Sequence, residues 1–456
     1  MESPSPTGTR PQKGAELELE IDTLAYGGAG VARLDGYVLF VQGAVPGDRV
    51  RARVTKRKRA YAEARTIELL DPSPDRIEPR VAHPGAPWQV LPYERQLAEK
   101  ESQVREALTR IGGFAQPPVE PMVPAIEPWR YRNKLEYSFG DADGQLVLGF
   151  HRPGRWNEID DVSEDILASE RVDAVRESVK AWCREEGLSA YDRVEGRGFL
   201  RNLVIREGRR SGQLQARIVT SEGDFRALDL AEAVDATGVL WTRAAGVAET
   251  TRDGETDLLG GSATIEEELT CAGERLRFRI SPDAFFQTNT EMAERLYGAA
   301  VELAELSGRE RVYDLFSGIG TIALALAPVA GEVWGVEVVE QAVADAIENA
   351  RLNGIDNTHF HAGDVRTAMR PLVEKAGTPD VLVVDPPRAG LSQKVVRRMI
   401  ETEAKRIVYV SCNPTTLAPN ARQLADAGYT LDRIRPVDMF PQTPHIECVA
   451  QLSLRA

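Results

Sequence analysis

Cys412 stands where a thiol can act as a nucleophile. It follows the run Arg406-Ile407-Val408-Tyr409-Val410 and opens the turn Ser411-Cys412-Asn413-Pro414-Thr415-Thr416. A β-branched and aromatic run bounded by Asn-Pro reads as a core strand that stops abruptly. Ligands of open parallel α/β sheets bind outside the carboxyl ends of the strands, so this strand delivers its thiol to the reactive edge. The other reading of a free cysteine is a small buried hydrophobe, and the neighbouring runs decide between the two.

Those runs end in a similar way. Val312-Tyr313-Asp314-Leu315-Phe316 reads as a strand feeding Ser317-Gly318-Ile319-Gly320, with a helical run from Thr321 to Ala327. Glycines there let backbone approach a ligand, and the helix start offers unpaired N–H groups. Glu332 to Glu337 reads as a second strand, ending in a carboxylate placed to take ribose hydroxyls. Asp364 follows a third strand, and Val381-Leu382-Val383-Val384 delivers Asp385 in Asp385-Pro386-Pro387-Arg388. The third glycine of the dinucleotide fingerprint is missing, so the loop alone decides little. Successive strand ends that each carry a glycine loop or an acid decide more. The layout resembles the Rossmann-like α/β fold of class I S-adenosylmethionine (SAM)-dependent methyltransferases. That resemblance implies the loop with Gly318 near the methionine end, Glu337 on the ribose and Asp364 near the adenine.

Positioning these groups takes more than one domain. At 456 residues the chain has room for about two to four. Residues 1–14 are polar and Ser/Pro/Gly-rich, and read as a disordered lead-in without the apolar core of a signal peptide. Residues 15–70 alternate in short strands separated by glycine turns, as a small β-barrel does. They carry Arg49, Arg51, Arg53, Lys56, Arg57, Lys58 and Arg59 with no acid between them, a footprint for phosphates. The segment resembles the OB-like TRAM RNA-binding module over Gly27–Arg33 and Ala44–Asp48. Residues 71–125 read as a proline-rich linker and a helix. Residues 126–275 read as an α+β central domain, with basic-aromatic pieces around Arg132, Lys134 and Arg201 suited to RNA. The catalytic domain is expected over 276–456.

Three signatures then narrow the chemistry: Asp385 to Gly390, Ile407 to Thr416, and Asp438-Met439-Phe440-Pro441-Gln442-Thr443-Pro444-His445-Ile446-Glu447. In order and spacing they resemble the RNA uracil-C5 methyltransferase family, over nearly the whole chain, and most closely its bacterial 23S rRNA branch with a TRAM domain. The resemblance implies Cys412 as nucleophile and Glu447 as base. It also implies Gln287, Phe316, Glu337 and Asp385 at the cofactor and Phe285 beside the target base. The residue types suit that chemistry. A thiolate added at C6 makes C5 of uracil nucleophilic, and a carboxylate can then remove the C5 proton. The target base must leave its stack, and Phe285 or Phe286 can stack on it or fill the gap. A cytosine-C5 methyltransferase would carry a Pro-Cys nucleophile motif, whereas this chain has Ser-Cys-Asn-Pro. A nonenzymatic RNA-binding protein that keeps the cofactor fold as a scaffold is the other alternative, and an intact Cys412 and Glu447 argue against it.

Composition bounds the rest. The net charge of −14 runs against a nucleic-acid partner, but screening limits each charge to about 8–10 Å, so local clusters matter more. No apolar run is long enough to cross a bilayer. The four cysteines, Cys183, Cys271, Cys412 and Cys448, form no CxxC pair, which points to a reducing cytoplasm and no metal site. Several relatives hold an iron–sulfur cluster just before a Leu-Pro-Tyr-Glu run. Here Val81–Val90, ahead of Leu91-Pro92-Tyr93-Glu94, and 160–171 contain no cysteine, so no cluster is expected. Packing by Trp88 is expected in its place. The expected partner is RNA, 23S rRNA first and tRNA second, bound by a monomer.

Overall fold

The computed structural model describes residues 10–244 and 254–455. Expectations for residues 1–9 lie outside the described residues. Residues 10–14 belong to the first module instead of leading into it: the Gly14 N–H donates to Val54 O at 2.8 Å, and Arg10 lies over the Tyr37 ring. Strands β1 (Glu16–Glu20), β2 (Thr23–Leu24), β3 (Gly30–Leu34), β4 (Tyr37–Gln42), β5 (Arg49–Arg57) and β6 (Tyr61–Asp71) form one sheet, ordered β1-β5-β6-β4-β3-β2. Alternate residues such as Leu39, Val41, Val50, Ala52 and Val54 point into a core of their own.

Helix α1 (Tyr93–Glu106) and the segment after it do not behave as a linker. Val104 and Leu108 are buried in the core of the catalytic domain, and residues 118–123 run along its edge strand. An edge strand leaves backbone groups unpaired, and this segment covers them. The central domain holds a sheet of β7 (Lys134–Ala142), β8 (Gln145–Arg152), β9 (Arg155–Asp161), β10 (Leu200–Gly208), β11 (Gln213–Thr220), β12 (Gly238–Ala244) and β13 (Gly254–Gly261). Helices α2 (Glu170–Glu185) and α3 (Ala227–Ala233) pack against it through Val175, Val179 and Leu230.

The next hairpin, β14 (Ile265–Cys271) with β15 (Glu274–Ile280), straddles the boundary expected at 275. Its apolar side, Leu269, Leu276 and Phe278, is buried with the catalytic core, so packing assigns it there. Beyond it run α4 (Thr290–Ala304), β16 (Arg311–Leu315), α5 (Thr321–Leu326), β17 (Glu332–Glu337), α6 (Glu340–Leu352) and β18 (Thr358–Ala362). They continue into α7 (Val365–Ala376), β19 (Val381–Val384), α8 (Gln393–Glu401), β20 (Arg406–Ser411), α9 (Pro414–Asp426), β21 (Tyr429–Val437) and β22 (Glu447–Leu454). The sheet order is β18-β17-β16-β19-β20-β22-β21, parallel except where β22 pairs antiparallel with β20 and β21. Order reverses between β16 and β19, which opens a crevice at the carboxyl edge.

Candidate active site

Strand register brings the thiol and the carboxylate together. β20 and β22 pair through Ser411↔Cys448, so one further step sets Cys412 opposite Glu447. Cys412 is half-buried, and Glu447 is buried at the start of β22. Burial first, then the charges of Glu447 and Asp385, pushes the Cys412 thiol up to about 12. Burial and Asp385 likewise raise the Glu447 carboxyl well above the carboxylate range, and burial raises Asp385 to about 7. One cation works against all this. The exposed Arg388 lowers both the thiol and the Glu447 carboxyl, and it has no ion pair among the described residues. Cys412 also sits just before α9, whose first turn is capped by the Asn413 side chain accepting from Thr415 N–H at 3.0 Å. The positive end of that helix favours a thiolate.

The loop before Glu447 is held from outside its own sheet. Asp438 is fully buried, 2.6 Å from Lys100 Nζ, and accepts from the Tyr93 hydroxyl at 2.7 Å. Gln96 exchanges hydrogen bonds with the Gln442 side chain and backbone at 2.8 and 2.9 Å. The Tyr131 hydroxyl donates to Pro441 O, and Asn289, the N-cap of α4, donates to Met439 O. Gln442 has a φ of 65°, a left-handed conformation that these contacts impose. Tyr26, from the first sheet, also reaches the site: its hydroxyl donates to the Cys412 carbonyl at 3.1 Å. Sequence reading missed Tyr26, Lys100 and Tyr93, because nothing local marks a partner hundreds of residues away.

The crevice beside these groups has the features of a nucleoside site. Both oxygens of Glu337 accept backbone bonds, from Gly318 N–H at 3.0 Å and Val339 N–H at 2.9 Å, and each keeps a lone pair for a ribose hydroxyl. Phe316 holds a φ of 70°, which turns the chain into the glycine loop. At Gly320, φ is 86° and an added Cβ would meet Phe360 and Ala346 at 3.0 and 3.2 Å, so glycine is required there. Gln287 is buried, its carbonyl accepting from Asn133 Nδ2 at 2.9 Å. Asp364 is exposed and caps α7, accepting from Arg366 N–H at 2.9 Å. Asp314 was read only as part of a strand, yet it is buried with neither oxygen in a well-formed hydrogen bond. Burial, then Asp385 and Glu337, raises it to about 8. The buried Ser317 hydroxyl is also unpartnered. Buried polar groups left without partners beside the glycine loop are what a polar ligand could satisfy.

The expected RNA contacts divide. Phe286 is buried against Phe278, whereas Phe285 is 61% exposed. The Phe285 loop is held by Arg206 donating to Ala284 O and by Arg217 on Asp283. Within the TRAM-like basic run, cross-strand acids pair Arg49, Arg51, Arg53 and Lys56 with Glu18, Glu68, Glu16 and Glu63. Only Arg57, Lys58 and Arg59 are exposed there without an ion pair among the described residues. Lys134 is tied to Glu136 at 2.9 Å. Arg201 is buried with its guanidinium 4.0 Å from the Tyr191 ring centroid, a packing role and not an exposed contact. Arg132 is half-buried beside the catalytic loop, over the Phe440 ring, with Nε unpartnered.

Similarity to known proteins agrees with this geometry. A family model described as tRNA (uracil-5-)-methyltransferase matches residues 242–455, and a TRAM domain model matches 10–67. An uncharacterized RNA methyltransferase of Halalkalibacterium halodurans is 38% identical over 448 residues, covering 96% of this chain and 97% of its own. The chain belongs to the RNA uracil-5-methyltransferase family. A second relative, an uncharacterized RNA methyltransferase of Chlorobaculum tepidum, is 39% identical over 445 residues, 91% of each chain. Among solved structures, the Pyrococcus abyssi tRNA (uracil-54, C5)-methyltransferase in complex with S-adenosyl-L-homocysteine superposes with a TM-score of 0.79. It is 29% identical and covers 95% of this chain and 99% of its own. This methyltransferase is SAM-dependent, as its family is, and the crevice above fits that cofactor. In the segments 81–90 and 160–171, where no cluster is expected, buried His83 meets Asp165 at 3.0 Å, and Tyr137 donates to the same carboxylate at 2.8 Å. Trp88 is buried with Leu24, Val45 and Leu91. Among the described residues no His, Cys, Asp or Glu cluster is set to bind a metal, and no helix is long and apolar enough to cross a membrane.

Proposed function

We propose that this methyltransferase forms 5-methyluridine in RNA through a covalent bond between Cys412 and C6 of the target uracil. The observation that carries the reading is the register that sets Cys412 opposite Glu447, with the Arg388 cation, unpaired among the described residues, acting on both. The thiolate adds to C6, and the electron pair of the C5–C6 double bond moves to C5 and O4. Bound SAM supplies an electrophilic methyl group at the crevice. C5 takes the methyl as the methyl's bond to the sulfonium sulfur breaks, leaving S-adenosylhomocysteine; Glu447 then removes the C5 proton, and expulsion of the thiolate restores the double bond. Glu447 takes that proton in its ionised form, which Arg388 favours, and burial makes the carboxylate the stronger base once it is ionised. Arg388 stabilises the thiolate, and its charge suits the enolate that follows. Gln287, Phe316, Gly318, Glu337, Asp364 and Asp385 line the cofactor crevice, and the bare Asp314 and Ser317 groups belong with them. Exposed Phe285 stacks on the extruded base, while Arg132 and Arg57–Arg59 take phosphates.

The TRAM module supports 23S rRNA as the substrate. The Pyrococcus tRNA enzyme, aligned over 95% of this chain, supports the T-loop uridine of tRNA as a second reading. Mapping 5-methyluridine in rRNA and tRNA from a strain lacking the protein decides. Loss at a 23S site supports the first reading, loss at the T-loop supports the second, and loss at neither removes the proposed reaction.

A further inference from the structure

The Tyr26 turn is pressed into the catalytic centre. Ala25 N–H donates to Ala29 O at 2.8 Å, and Gly28 N–H donates to Ala25 O at 2.9 Å, closing a tight loop at the end of β2. Gly28 has a φ of 87°, and a Cβ there would stand 2.9 Å from Pro444 and 3.1 Å from Trp88 Nε1. The loop therefore packs directly on the Asp438–Glu447 signature, while the Trp88 backbone N–H donates to Gln442 O at 2.9 Å. The Tyr26 ring packs against the catalytic core. Its hydroxyl meets the Cys412 carbonyl one residue beyond the end of the β20–β22 ladder at Ser411↔Cys448. Burial first, and then Cys412, pushes the Tyr26 phenol up to about 12, so it remains a protonated donor at neutral pH.

We infer that Tyr26 is a positioning residue of the reaction, its hydroxyl fixing the amide plane that follows Cys412 and so the aim of the thiol. The TRAM module then completes the nucleophile's geometry in addition to holding RNA. The inference rests on the proposed role of Cys412. A buried hydrogen bond between distant segments is what a preorganised nucleophile needs from its surroundings. Without it, the only other hold on that peptide among the described residues is its own N–H, Asn413 donating to Ser411 Oγ at 3.2 Å, where strand pairing has ended.

The test compares wild type with Tyr26→Phe in the full chain, which removes one oxygen and keeps the ring. Single-turnover formation of the covalent adduct with 5-fluorouridine-substituted RNA and SAM is followed alongside RNA affinity and the thermal midpoint. The expected result is a slower adduct rate by roughly five- to tenfold, the worth of one hydrogen bond, with affinity unchanged and only a small drop in midpoint. An adduct rate equal to wild type overturns the inference, as does a slower rate wholly explained by weaker RNA binding. Absence of an adduct from wild type overturns the nucleophile assignment itself, which separates the two failures. Tyr26→Ala, which also removes the packed ring, is expected to lower the midpoint and the rate together.

Discussion

In the resting site Cys412 is a poor nucleophile, because burial and the carboxyls of Glu447 and Asp385 hold its thiol near 12. On the proposed mechanism, activation comes with the ligands, the SAM sulfonium supplying positive charge against those carboxyls, helped by Arg388 and the start of α9. Alkylation of the ligand-free protein by iodoacetamide checks this. Cys183, Cys271 and Cys448 are buried, so labelling reports Cys412. A group titrating that high gains thiolate as pH rises, and its labelling rate should climb roughly tenfold per unit between about pH 7 and about pH 10. A plateau near pH 8 would show that the thiolate is already stabilised without ligand. The residue types at this site were legible in sequence, since Cys412, Glu337 and Asp385 each close an apolar run. Arg388 stood in a recognised motif without a role, and Asp314 hid in a strand, where an acid among apolar neighbours was the available signal.

At the scale of elements, the catalytic loop depends on α1 as much as on its own sheet. Lys100 and Asp438 are both fully buried and 2.6 Å apart. Removing one partner leaves a charge uncompensated, which costs about 3–5 kcal/mol. Lys100→Met should lower the thermal midpoint and the methylation rate, and adding Asp438→Leu should recover much of the midpoint. A Lys100→Met midpoint equal to wild type would contradict the clamp. Sequence periodicity showed the helix around Tyr93 to Ile111, but not what it grips, because helical spacing reports a buried face and not its partner. Cross-strand acids were equally hidden. The basic run of β5 has no acid within it, yet β1 and β6 bring Glu16, Glu18, Glu63 and Glu68 alongside. The boundary expected at 275 failed for a related reason, since a hairpin's allegiance is set by the core it packs into.

For the whole molecule, every part converges on one edge of one sheet. The first module supplies Tyr26, the middle segments hold the loop of Glu447, the central sheet holds the Phe285 loop, and the switch point between β16 and β19 opens the cofactor crevice. Order along the chain and the strand ends were readable because each element has its own pattern. Convergence was not, since it lives in contacts between elements. The proposed reaction stands or falls on the Cys412–C6 bond. Incubating wild type with 5-fluorouridine-substituted RNA and SAM, then locating the adduct by mass spectrometry, tests that claim most directly. The account predicts one RNA adduct on Cys412, absent from Cys412→Ala; an adduct on another residue, or one that survives Cys412→Ala, would contradict it.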